Sequence, residues 1–439
     1  MKTRLMTLFS LLMILALLVG CAQAPQEPAA EAEPQEPAAE QPAEPAAAEE
    51  EVLRIGVAGP FTGPNARVGE EIKGHVTMAF EAIDWKVGNY KIEPVWIDDE
   101  SDPEKGVRAY SEAVLRSNIQ VGFYGYHSSV TIAQMEITAE NKIPHFFNQN
   151  ESGVIVEKYK SDPVKYGYHG WKGKPAPQRL FVGLKQALFQ DAIDNGLWSP
   201  ANKNYSVICE DTDYGRDTCK AFIELANADG WTLVGGENYT PIAETDYYPL
   251  LNKIKAEEPS LMFISISVPA PVTAAIKQVQ EVGLDVLTIS FGLGWTGNWY
   301  ELTGEAGDYV IDVLPVYSTE AQKAWAAEFK EKFGIDPGPG IAVGYDYANF
   351  LIRILQNTLE KYGELNKETI YKYAQEEVSS GNLTYDDGLF HASLKWSPET
   401  NPEMVVGEGF YLDPVIQYFG GTGVAIWPAD FAEAELKVR

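Results

Sequence analysis

The chain has 439 residues and a formal net charge of −29. Its length predicts two to three domains. Its hydrophobic fraction of 45% and aromatic fraction of 12% suit a globular core and exclude collagen or wholesale disorder. So acidic a chain repels phosphate backbones, which excludes nucleic acid as a partner.

Residues 1–21 read as a signal peptide. Lys2 and Arg4 precede an apolar run from Leu5 to Val19 that is short for a membrane span and fits an export signal. The run ends in "LLVGC", which resembles the bacterial lipobox. That resemblance implies lipidation at Cys21, and several acyl chains on one residue give stable anchoring. Residues 22–51 are Ala, Pro, Glu and Gln with no aromatic and no basic residue. Such a stretch buries nothing and is expected to be a disordered tether. At roughly 3 Å per residue it reaches up to about 90 Å.

From Val52 strands and helices alternate. "VLRIGVAGP" is an apolar run ending in Gly and Pro, as a buried parallel strand does. The helix in "VGEEIKGHVTMAFEAID" sets Ile72, Val76, Ala79 and Ile83 on one face. "KIEPVWIDD" is a strand. "DPEKGVRAYSEAVLR" opens a helix with Asp102 as N-cap and Pro103 at its first position. Then follow a strand in "NIQVGFYGY", a helix over 128–140 and a strand in "KIPHFFN". The pattern restarts with a helix over 178–195 and the strand "NYSVICED". A helix over 215–229, the strand "TLVGGENYT", a helix near 246–257 and the strand "SLMFISIS" come next. A helix over 270–283 and the strands "VLTISFG" and "YVIDVLPV" follow, and helices over 319–333, 341–361 and 367–378 close the regular part. Repeated β–α units predict an α/β fold of two doubly wound parallel-sheet lobes. In such sheets ligands bind beyond the carboxyl ends of the strands.

Several chemistries are weighed at those ends. In "YGYHSSVT" His127 precedes Ser128 and Ser129. A hydrolase would need a third orienting group and an oxyanion site, and no G-x-S-x-G elbow or S-x-x-K occurs. No Walker loop or complete dinucleotide fingerprint is present, so no nucleotide cofactor is expected. The carboxylates at 98–102 lack the glycine and terminal glutamate of an EF-hand, and the five histidines lack ligand spacing, so no metal is expected. Binding suits the stretch better. Helix-start amides have no internal partner and carry partial positive charge, and small hydroxyl residues let a carboxylate or carbonyl approach them. After Cys21 the remaining cysteines are Cys209 and Cys219, which form either a small-loop disulfide or two buried thiols.

At these residues the chain resembles the type I periplasmic binding proteins of the branched-chain amino acid transport group. The likeness runs from about Val52 to Arg439. It is carried by "LRIGVAGPFTGPNARVGEEIKGHVTMAFEAID", "IDDESDPEKGVRAYSEAVL", "GYHSSVT", "EDTDYGRDTCKAF" and "PVIQYFGGTGVAIWPADFAEAELKV". It implies two lobes joined by a three-crossover hinge, with 52–172 and 316–388 in lobe I and 173–315 and 389–439 in lobe II. These close like a hinged clamp on a small ligand, an amino acid or a related amide or carboxylate. The loaded protein, a monomer without enzymatic activity, would serve an ABC permease from the extracytoplasmic side of the membrane. A receptor reporting to a signalling partner is the alternative.

The resemblance places the ligand's carboxylate at Ser128 and Ser129, with His127 beside them. Asn148, Gln149 and Asn150 line the next loop, and Tyr214 belongs to the Tyr-Gly turn. His127 is expected to tune selectivity near neutral pH. Where amino-acid binders place an acid, this chain has "FGLGWTG", with Leu293 and Trp295 as the candidate wall. An ammonium buried without a counter-charge is costly, so a ligand other than a simple branched-chain amino acid is expected. The aromatic "YGYHGWKGKPAP" is expected to reach the cleft mouth.

Overall fold

The computed structural model describes residues 51–295 and 297–439. The signal peptide, Cys21 and the tether up to residue 50 lie outside the described residues. No helix among the described residues is long and apolar enough to cross a membrane.

The first sheet holds β1 (Glu51–Gly59), β2 (Lys86–Val87), β3 (Tyr90–Asp98), β4 (Val121–Phe123), β5 (His145–Phe147) and β6 (Trp171–Lys172). Their order is β2-β3-β1-β4-β5-β6, parallel throughout except for the β2–β3 pair. Leu53, Ile55 and Val57 are buried, and so are Gly56 and Ala58 between them. A central parallel strand covered on both faces needs such a continuous run. Gly56 is small for a reason: a Cβ there would lie 2.6 Å from Ile119 Cδ1.

The chain then crosses to β7 (Asn204–Glu210), β8 (Thr232–Thr240), β9 (Leu261–Ser265), β10 (Leu287–Phe291) and β11 (Ile311–Val313). It returns to the first lobe for the helices Glu320–Phe333 and Pro339–Tyr362, which pack on the helix Ala66–Glu81. A small hairpin follows, β12 (Thr384–Tyr385) with β13 (Leu394–Lys395), so the expected lobe break between 388 and 389 falls inside it. The chain ends in β14 (Val415–Phe419) and β15 (Thr422–Trp427). The second sheet is ordered β15-β14-β11-β10-β9-β7-β8. Its β14 and β15 run antiparallel, an addition to the expected parallel pattern. The chain thus passes between the sheets three times, and the two doubly wound lobes are those expected.

Three differences are local. The helix expected over 178–195 is α-helical over Pro177–Leu184, widens to π over Lys185–Asp191 and ends with Ala192–Asp194. The strand expected over 309–316 pairs only over Ile311–Val313. The stretch "YGYHGWKGKPAP" does not reach a cleft mouth. Trp171 is fully buried and stacked on Phe146 at 4.5 Å, and Lys172 and Lys174 are buried as well. The aromatic rings of that stretch find more apolar area inside than a rim would offer.

Candidate functional site

The helix Ser128–Asn141 starts where β4 ends. Gly125 in that turn has φ +147°, and a Cβ there would meet Asn150 and Thr131 at 3.0–3.2 Å. His127 takes the N-cap position with extended backbone but gives no side-chain cap. The first amides of the helix are therefore not covered by a capping oxygen. Ser128 Oγ accepts from Ser152 N at 3.2 Å, and Ser129 Oγ accepts from Asp213 N, on the other lobe, at 3.2 Å.

A cavity of about 260 Å³ lies against this helix start. On the first lobe it is lined by Tyr126, His127, Ser128, Ser129 and Gln149, with Ser101 and Pro103 beside them. On the second it is lined by Glu210, Asp211, Thr212 and Tyr214 from the end of β7, by Ser267 after β9, and by Trp295 after β10. Six of the sequence-derived residues thus meet in one place: His127, Ser128, Ser129, Gln149, Tyr214 and Trp295. Asn148, Asn150 and Leu293 lie outside the lining. Asn148 Oδ1 accepts from Gln149 N at 2.9 Å, and the Asn150 amide bonds Thr131 Oγ1. Leu293 is buried in the second lobe's own core.

The aromatic walls are fixed by hydrogen bonds across and within the lobes. The Tyr126 hydroxyl donates to Ser267 O at 3.0 Å, and the Tyr214 hydroxyl donates to Phe291 O at 3.1 Å. The Trp295 ring stands 5.4 Å from Tyr214 and 6.0 Å from Tyr126. Lys174 Nζ lies 5.1 Å from that ring, and its ammonium pairs with Glu151 at 2.6 Å, both side chains fully buried. Gly340 lets Trp295 lie flat, since a Cβ there would sit 2.7 Å from the indole.

Sequence reasoning missed Glu210. Its burial is nearly complete, and burial pushes its carboxyl above the usual range. Oε2 accepts from Ser267 N at 2.7 Å and Ser267 Oγ at 2.8 Å, and Oε1 accepts from Thr212 Oγ1 at 2.7 Å. The acid lost from the loop after β10 has a counterpart at the end of β7. "ICED" carries the signal, since an acid that ends an otherwise apolar strand points into the cleft region. Ser101 and Pro103 line the cavity at the helix start that Asp102 caps through Glu104 N and Lys105 N.

Two sequence expectations meet the geometry directly. His127 Nε2 lies 3.1 Å from Asn65 Nδ2, and no hydrogen bond joins the ring to a serine among the described residues. Burial lowers the His127 pKa to about 4, so the ring is neutral at physiological pH. It does not titrate near neutrality, contrary to the expected tuning, because burial disfavours the charged ring. Nearby, Cys209 and Cys219 are joined in a disulfide with Cα atoms 6.2 Å apart, closing the loop that carries Glu210 and Tyr214.

A family model described as periplasmic binding protein matches residues 52–389. The chain belongs to the periplasmic binding protein family. Members of this family bind solutes and are not enzymes. Leu/Ile/Val-binding protein homolog 1 of Brucella abortus is 25% identical over 348 residues, covering 76% of this chain and 86% of that protein. The leucine-binding protein of Thermotoga maritima superimposes with a TM-score of 0.66 at 16% identity, covering 85% of this chain and 97% of that one. A solute-binding protein from R. palustris in complex with benzoate gives 0.68 at 19% identity, covering 88% and 99%. These structures share the fold.

Proposed function

We propose that this chain is the substrate-binding component of an ABC importer, capturing an amino acid or a related small amide or carboxylate between its lobes. One observation carries the reading. A single cavity joins the uncapped start of the helix Ser128–Asn141 on one lobe to Glu210, Ser267 and the aromatic wall on the other. The helix amides and the hydroxyls of Ser128 and Ser129 suit a carboxylate or carbonyl oxygen. Glu210 stands opposite as an acceptor for a donor group, and Tyr126, Tyr214 and Trp295 suit a flat or apolar body. Similar proteins named for leucine, isoleucine and valine, and one solved with benzoate, span this range of chemistry.

Hinge closure brings the two walls together, and the loaded protein delivers its solute to a permease. Lipid attachment at Cys21 and the tether that follows it would hold it on the extracytoplasmic face. Isothermal titration against leucine, valine, benzoate and 4-hydroxybenzoate tests the reading. At least one should bind, and Ser128→Ala should weaken it about tenfold, the worth of one hydrogen bond to a charged group. If none binds, and native mass spectrometry of protein from its own host finds no retained small molecule, the reading falls.

A further inference from the structure

The two walls of the cleft differ in the hydrogen-bonding groups they leave open. On the first lobe, Ser128 Oγ and Ser129 Oγ each accept from a main-chain N–H at 3.2 Å. Among the described residues neither hydroxyl proton has an acceptor. Those protons and the uncapped start of the helix Ser128–Asn141 remain for a ligand oxygen. On the second lobe acceptors are scarce. A carboxylate has about four acceptor positions. Those of Glu210 already receive Ser267 N, Ser267 Oγ and Thr212 Oγ1. Asp211 is paired with Arg216 at 2.6 Å. The hydroxyls of Tyr126 and Tyr214 donate to the carbonyls of Ser267 and Phe291.

A primary ammonium brings three N–H donors, and each one buried without an acceptor costs free energy. Glu210 has room for about one of them. Charge, however, favours a cation. Among the described residues the lining holds Glu210 and Asp211 and no lysine or arginine, so a positive group on the ligand suits it better than a plain anion. Hydrogen bonds donated to Glu210 oppose the upward push of burial on its carboxyl, and a cation opposite would oppose it further. The wall also offers aromatic surface. Tyr126 and Trp295 stand 6.0 Å apart at 81°, and Tyr214 stands 5.4 Å from Trp295 at 53°. Aromatic rings attract an alkylated ammonium without asking it for hydrogen bonds. Lys174 lies 5.1 Å from the Trp295 ring, but it is outside the lining and is neutralised by Glu151 at 2.6 Å.

We propose that the cleft selects a small carboxylate bearing a fully N-alkylated ammonium, a betaine, over one bearing a primary ammonium. The inference rests on the cleft reading above and narrows its ligand class. The carboxylate would receive the hydroxyl protons of Ser128 and Ser129. The N-methyl groups would lie against Tyr126, Tyr214 and Trp295, where a primary ammonium would give up hydrogen bonds it makes in water. The positive charge is kept, so Glu210 and the aromatic rings still attract it.

The test is isothermal titration of the full chain with glycine betaine, valine and 3,3-dimethylbutanoate. Valine is the isomer of glycine betaine with a primary ammonium. 3,3-Dimethylbutanoate has the shape of glycine betaine with carbon in place of the charged nitrogen. Glycine betaine should bind about tenfold tighter than either, a margin within the worth of a desolvated cation against aromatic rings. Trp295→Leu should narrow its margin over 3,3-dimethylbutanoate. The ligand series runs on the natural protein, so a folding failure of Trp295→Leu leaves the test intact. Equal binding of 3,3-dimethylbutanoate overturns the proposal, since charge would then play no part. Valine binding as tightly as glycine betaine, or tighter, overturns it too and leaves the reading of the cleft standing. Absence of heat with glycine betaine at millimolar concentration also overturns it, whatever leucine or benzoate does.

Discussion

Asp99 follows β3 and is fully buried; Ser101 N donates to its Oδ1 at 2.8 Å, while Oδ2 has no partner. Burial, with Asp98 and Asp102 adding repulsion, raises its pKa from 3.8 to about 7. The folded state therefore favours the protonated acid. The contribution of that acid is full below about pH 4 and is lost as pH rises to 7. Asp99→Asn keeps the acceptor and removes the charge. It should stabilise the fold at pH 8 by roughly 2–4 kcal/mol, with the gain shrinking as pH falls and vanishing near pH 4. Urea unfolding of both proteins at pH 8 and pH 4.5 checks this; an equal difference at both values would contradict it. His75 shows the same principle with the opposite sign. Burial against Trp325 and Phe329 lowers its pKa to about 3, so it stays neutral.

At the scale of elements, three strand ends of the second lobe form one wall of the cleft. Glu210 at the end of β7 holds Ser267 after β9, and Tyr214 holds the carbonyl of Phe291 at the end of β10. The disulfide between Cys209 and Cys219 fastens β7 to the helix Asp213–Ala228 across the same loop. Closing so short a loop removes entropy from the unfolded chain worth about 3 kcal/mol. The double variant Cys209→Ser, Cys219→Ser should lose about that much in urea unfolding. Reductant should lower the stability of the natural protein and leave that of the variant unchanged. Equal sensitivity of the two would show that the bond contributes nothing.

Hydrogen bonds bridge the two lobes of the molecule. Ser129 Oγ accepts from Asp213 N, the Tyr126 hydroxyl donates to Ser267 O, and Gly153 N donates to Asp217 Oδ2 at 2.6 Å. Glu71, buried on the first lobe, accepts from Gly297 N at 3.3 Å on the second. Asp217 also accepts from Gln178 Nε2 at 3.0 Å, so its carboxylate ties the helix Pro177–Leu184 to the bridge with Gly153. Asp217→Ala removes both bonds, one of them a charge-assisted bridge between the lobes, and should shift the closing equilibrium toward open by up to about tenfold. Small-angle X-ray scattering of ligand-free protein should then show a larger radius of gyration. An unchanged value would mean that the other bridges suffice.

The sequence alone determined the two-lobed α/β plan, because each buried parallel strand announces itself as a continuous apolar run followed by a turn and an amphipathic helix. It also located the serine helix start, the Tyr-Gly turn and Trp295, since strand ends can be read locally and ligands gather there. Only the tertiary structure decided which of these face one another. Leu293 and Asn150 are near Trp295 and Gln149 in sequence, yet they turn into the core and into a hydrogen-bond network. Glu210 looked like one acid among many until β9 placed Ser267 against it. His127 looked like a titrating group until burial disfavoured its charged form. Side-chain direction at a turn, and the dielectric around a charge, are set by neighbours distant in the chain, so no local pattern records them.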